Sequence, residues 1–192
     1  MPRPSAKHRI ETAALRLFAQ KGVGETSVRD IAGAAGVSDG ALYRHFSSKA
    51  ALVRAMFAVR YAELAVTLEE LAGSGGFAAR MRALVRGLCT LHDREPDSFN
   101  FMLVVQHEQL PRYDNRDGSP VDALRHLIID GIAAGDLPDQ DPDLATAIVM
   151  GIVVQPATFK LYGRIARPMG ELAPSLAEAC LRALGASSGD AS

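Results

Sequence analysis

Tyr43, Arg44 and His45 are three consecutive side chains that can donate hydrogen bonds, and small Gly40 and Ala41 lie just before them. A guanidinium, a phenol and an imidazole on one short segment can rest on a phosphate backbone and reach base edges. The same mix can also cover one side of an ordinary helical hairpin. Few other residues invite catalytic chemistry. Cys89 and Cys180 are the only cysteines, each among apolar neighbours and without a CxxC spacing. His107-Glu108 has no second histidine four residues after the first, so it is not a zinc signature. There is no glycine-rich phosphate loop and no nucleophile elbow. The expectation is therefore a protein that is not an enzyme, with no cofactor and no metal. A cysteine-based redox switch is the chemically different alternative. It is disfavoured because reactive thiols need exposed, electropositive surroundings.

The charge distribution points to a polyanionic partner at one end. Over the 192 residues the formal net charge is −1, yet residues 1–60 hold ten Lys and Arg against four Asp and Glu. Residues 61–192 hold eleven against eighteen. A basic first third joined to an acidic remainder suggests that the N-terminal end meets nucleic acid. No apolar segment follows the basic N-terminus, and two free thiols suit a reducing compartment, so a cytoplasmic location is expected. The longest charge-free run, Leu144 to Phe159, is interrupted by Gln155 and Pro156. It falls short of the ~20 apolar residues of a spanning helix, so a buried core helix is expected and no membrane.

The elements that would position these residues are all helical. Ile10, Ala13, Ala14, Leu17 and Phe18 form a helical stripe that closes at Gly22. Ser27 is a good N-cap, and Asp30 stands at the capping-box position. Gly33 and Gly36 are expected to close this short second helix. Gly36-Val37 makes a turn, Ser38 caps a third helix over about 39–45, and Ser48 caps a long fourth one reaching about Leu71. Five more helices follow. They begin near Phe77, Pro96, Pro120 and Asp143, with the last spanning about 171–184. The expected fold class is all-α with about nine helices: an N-terminal three-helix helix-turn-helix domain over 1–52 (the motif itself about 27–46), and a helical bundle over 53–185. A small, polar tail at 186–192 is expected to fray.

Two short helices joined by a tight glycine turn are a helix-turn-helix unit. The wording of the stretch is more specific than its layout. The run Thr26-Ser27-Val28-Arg29-Asp30-Ile31-Ala32, then Ala35-Gly36-Val37-Ser38, then Gly40-Ala41-Leu42-Tyr43-Arg44-His45-Phe46, then Ser48-Lys49-Ala50-Ala51-Leu52 resembles the TetR family of transcriptional regulators. The likeness covers residues 6 to about 60. It implies a homodimer whose third helices enter the major groove of a palindromic duplex. Thr26 and Ser27 match phosphate contacts; Ser38, Gly40, Tyr43 and Arg44 match the reading face, beside Ala41; His45 and Lys49 match phosphate clamps. Asp39 departs from the basic residue of many members, and its expected role is to help cap the third helix.

Behind the reading head, the resemblance implies a bundle that binds a small-molecule effector and pairs two subunits. Transcriptional repression released by ligand is the implied function, with activation as the alternative. Pro156 cannot donate to the carbonyl of Ile152, so the eighth helix should kink there. Gln155 is an amide in an apolar stretch and needs a partner. Phe99, Met102, Gln106, His126, Gln155, Phe159 and Tyr162 are the candidate pocket residues, although the aromatic and Met side chains would equally fill a core. The few Lys and Arg near these stripes suggest an apolar or amphipathic effector rather than a multiply charged anion. The expected dimer interface joins the eighth and ninth helices through Ala145, Ile148, Ile152, Leu172, Leu176 and Cys180.

Overall fold

The computed structural model describes residues 4–113 and 118–186. Every regular element among them is helical: α1 (Ala6–Lys21), α2 (Val28–Ala35), α3 (Asp39–His45), α4 (Lys49–Ala72), α5 (Phe77–Arg94), α6 (Pro96–Gln109), α7 (Pro120–Ala133), α8 (Pro142–Leu161) and α9 (Met169–Ala183). A single 3₁₀ turn, Leu110–Arg112, follows α6. The all-α architecture with an N-terminal helix-turn-helix domain is as the sequence predicts.

Helix boundaries follow local chemistry. Ser5, Ser27, Ser38, Ser119 and Asp141 cap α1, α2, α3, α7 and α8 with side-chain oxygens, each satisfying backbone N–H groups that a helix start leaves open. Pro120 and Pro142 occupy first helical positions, where a missing N–H costs nothing. Gly33 does not end α2 as expected. It lies within the helix, and Gly36 alone terminates it, at φ +64°. The N–H of Val37 then returns to the carbonyl of Ala32 at 3.0 Å.

The chain divides into two compact units that do not coincide with a boundary at residue 52. The first comprises residues 1–60 and 97–113. In it α1, α2 and α3 pack together around fully buried Ile10, Ile31 and Leu42. The α6 segment joins this unit through side chains distant in sequence. Phe18 and Phe101 stack with ring centroids 5.7 Å apart, and Phe57 meets Tyr113 edge-on at 6.2 Å. Such contacts have no signature in a local pattern, which is why a simple N-terminal cut misses them.

The second unit comprises residues 61–96 and 114–192. Here α5 packs against α7 and α9, and α8 against the same two helices. Gly87 and Gly131 allow the closest approaches. A Cβ on Gly131 would lie 2.6 Å from the Phe77 ring, and one on Gly87 would lie 2.5 Å from Leu71. Of the expected C-terminal tail, only Ala186 falls within the described residues.

Candidate nucleic-acid interface

The site is built from the turn outward. Ser27 Oγ accepts from the Asp30 N–H at 3.1 Å, and Asp30 Oδ2 accepts from the Ser27 N–H at 2.9 Å, completing a capping box with the shorter acid. The Ser27 backbone and hydroxyl bonds, with the Lys21 ammonium, hold the Asp30 carboxyl below its ordinary pKa. The left-handed turn at Gly36 leads through Val37 to Ser38, whose Oγ accepts from the Ala41 N–H at 3.2 Å. α3 buries Leu42 beneath it. Ser38, Gly40, Tyr43, Arg44 and His45 remain exposed, Ala41 is half-buried, and Tyr43 keeps 53% of its surface open. Asp39 stands 3.8 Å from Arg29 Nε across the turn, an exposed pair; the cap of α3 is made by Ser38.

Two residues matched to phosphate contacts lie elsewhere. Thr26 is buried, with 1% of its surface open, and its hydroxyl donates to the Gly22 carbonyl at 2.7 Å. Its side chain belongs to the loop between α1 and α2, not to an outer face. Lys49 also turns inward. Its Nζ donates to the carbonyls of Val23 (2.8 Å), Gly24 (3.2 Å) and Thr26 (2.9 Å). Both inward placements have one cause: a loop with no regular partner must satisfy its carbonyls, and the nearest hydroxyl and ammonium do so. What remains outward is a short helix presenting a hydroxyl, an aromatic ring, a guanidinium and an imidazole, with no bulk at Gly40 to hold it off a flat partner. This arrangement is a helix-turn-helix with its second helix open to a partner.

The sequence-expected pocket residues are divided between the two units. Phe99, Met102 and Gln106 are on α6 in the first unit. Met102 is buried there, and the Gln106 amide donates to the Leu103 carbonyl at 3.3 Å. His126, Gln155, Phe159 and Tyr162 belong to the second unit, where all four are exposed. A surface cleft of about 530 Å³ in that unit is lined by Phe77, Arg82, Asp136, Glu178, Leu181 and Arg182, among others, and by none of those residues.

The corresponding correction applies to α8. It buries Ala145, Thr146, Val149, Val153 and Ala157 and leaves Leu144, Ala147, Ile148, Gly151, Gln155 and Phe159 exposed, as is Tyr162 just past its end. The helix is long and apolar enough to cross a bilayer by length and composition, and 28% of that stretch is buried within the chain. It is not the enclosed core helix expected of it. Of the expected interface, Ile148 is exposed, while Ile152, Leu172 and Leu176 are half-buried. Ala145 and Cys180 are inside the subunit's own packing, 1% and 0% exposed, and have no surface to offer a partner.

Residues 10–56 match the family described as bacterial regulatory proteins, tetR family. That segment, which runs from α1 into α4, is similar to the N-terminal segment of tetR-family regulators. Over 40 residues it is 55% identical to the HTH-type transcriptional repressor KstR2 of Rhodococcus jostii (strain RHA1), covering 21% of this chain and 20% of that one. The matched segments span about a fifth of the length of the curated relatives. Whole-chain likeness appears only at the level of fold. The fatty acid degradation regulator FadR from Bacillus halodurans superposes with a TM-score of 0.81 at 17% identity, covering 94% of this chain and 97% of that one. FadR from Bacillus subtilis in complex with stearoyl-CoA gives 0.75 at 18% identity, covering 90% and 96%.

Proposed function

We propose that this chain is a homodimeric transcriptional repressor of the cytoplasm that binds an inverted-repeat operator and is released from it by a small molecule. The observation that carries the reading is the exposed face of α3, with Ser38, Gly40, Tyr43, Arg44 and His45 set by a fully capped helix-turn-helix. Arg44 is assigned to a base edge, where a guanidinium can engage guanine with two hydrogen bonds. Ser27, Ala41 and His45 are assigned to the flanking backbone. Selection from a random duplex library with the folded protein tests this directly. Enrichment of an inverted repeat, with half-sites about one helical turn or a little more apart, is the expected outcome. Recovery of random sequence by a folded dimer would reject it.

Dimerisation is supported by the uncovered face of α8. An apolar helix with one face packed and the other open has a surface suited to a second copy. Ile148, Ile152, Leu172 and Leu176 are assigned to that contact.

Effector release is the population-shift mechanism: the ligand must favour a state that binds DNA less well. An amphipathic effector remains the reading. The stearoyl-CoA bound by a protein of the same fold makes a long-chain acyl thioester a compound to test beside uncharged amphiphiles, although its phosphates run against the expectation that a multiply charged anion is disfavoured. Redox control through cysteine has less support. Burial first, then the charges of Asp93 and Cys180, push the Cys89 thiol up to about 11, and burial pushes Cys180 up to about 11 as well. Neither thiol forms much reactive thiolate at neutral pH.

A further inference from the structure

Lys49 stands in the first turn of α4, where the partial positive charge of the helix end disfavours a cation. The side chain resolves this by reaching back to the loop between α1 and α2. An ammonium has three N–H groups, and the three carbonyls of Val23, Gly24 and Thr26 lie 2.8, 3.2 and 2.9 Å from it. These carbonyls come just after the C-terminal cap of α1 at Gly22 and just before the Ser27 cap of α2. The Thr26 hydroxyl ties the same loop to the Gly22 carbonyl. The loop has only one other backbone bond of its own, a long one of 3.4 Å from Thr26 N–H to Val23. Lys49 is thus the main bond between the loop that presents Ser27 and the helix that follows α3.

We propose that Lys49 is a positioning residue of the reading head: it locks the loop ahead of α2 to the start of α4 and does not itself neutralise a phosphate. With each N–H already held by a carbonyl, a phosphate could be contacted only by breaking the clamp. The two roles differ in salt dependence. A cation that binds phosphate releases a counterion and steepens the salt slope, whereas loss of an internal clamp lowers affinity equally at every salt concentration.

The DNA arm of the test rests on the function proposed above; the loop arm does not. Lys49→Met and Lys49→Arg are prepared in the full-length chain. Amide exchange over residues 22–27 is measured without DNA. Affinity for the duplex enriched by selection is then measured over about 50–200 mM salt. Lys49→Met is expected to speed exchange in the loop and to weaken binding about tenfold with a salt slope parallel to wild type. Lys49→Arg keeps the charge, but its planar fork cannot converge on three carbonyls. It is therefore expected to restore neither loop protection nor affinity. Unchanged exchange in Lys49→Met overturns the clamp. A slope shallower by about 0.9 per subunit in Lys49→Met, or full affinity in Lys49→Arg without loop protection, overturns the exclusion of a phosphate contact. If the wild-type chain binds no duplex in a salt-dependent way, the DNA-binding reading fails, and exchange alone decides the clamp.

Discussion

Asp93 caps α9 from another helix, its Oδ2 accepting from the Gly170 N–H at 2.7 Å. Oδ1 accepts from the Met169 N–H at 2.9 Å. The residue at the start of α9 is Pro168, which has no side-chain oxygen to offer, so α5 supplies the missing acceptor. Burial pulls the Asp93 carboxyl upward. The Gly170 and Met169 N–H groups, together with His92, outweigh it and hold the pKa below its ordinary value. A lowered carboxylate contributes stability above its unfolded pKa and loses it as pH falls through the folded one. Asp93→Ala should therefore cost about 1–2 kcal/mol at neutral pH. Below about pH 4 the wild type should begin to approach the variant, and it should converge on it only as pH falls through the lower folded pKa. Urea unfolding of both proteins at several pH values checks this, and a gap that persists unchanged at low pH would contradict it.

Arg44→Ala should relax the preference at one base pair of each half-site, costing about 1–3 kcal/mol if the contact is bidentate. Affinity for random duplex should fall much less. Titration against the selected operator and its single-base variants separates these effects. Equal losses on all duplexes would move Arg44 from base reading to backbone contact.

Ile148 and Val149 are neighbours on α8 with opposite fates: 39% and 1% exposed. Ile148→Glu should yield a folded monomer by sedimentation equilibrium, with helicity retained. Val149→Glu places an unpaired carboxylate in the subunit's own core and should cost several kcal/mol, lowering thermal stability before it alters assembly. A dimer unaffected by Ile148→Glu would place the interface on another face.

The cysteines should be inert in the folded protein. With both thiols pushed up to about 11, alkylation at pH 7–8 should be slow and should accelerate on unfolding in denaturant. Rapid native-state modification of Cys89 or Cys180 would reopen the redox alternative.

What the sequence determined by itself is what depends on residues three or four apart. Ser27 and Asp30 complete their box within one helical turn, and Gly36 adopts the one backbone conformation that other residues avoid. The exposed set on α3 follows because Leu42 is the helix's buried residue and Gly40, Tyr43 and Arg44 lie away from it. The tertiary structure decided the rest. Lys49 meets carbonyls 23 to 26 residues away, a set of partners that no local spacing announces. Thr26 is a polar residue whose burial rests on a bond to a backbone atom, which no side-chain pattern announces. α8 is the clearest case. A helix apolar on nearly every side carries no periodicity to say which face is packed, and only α7 and α9 settle that Val149 and Val153 are inside while Ile148 and Phe159 are not.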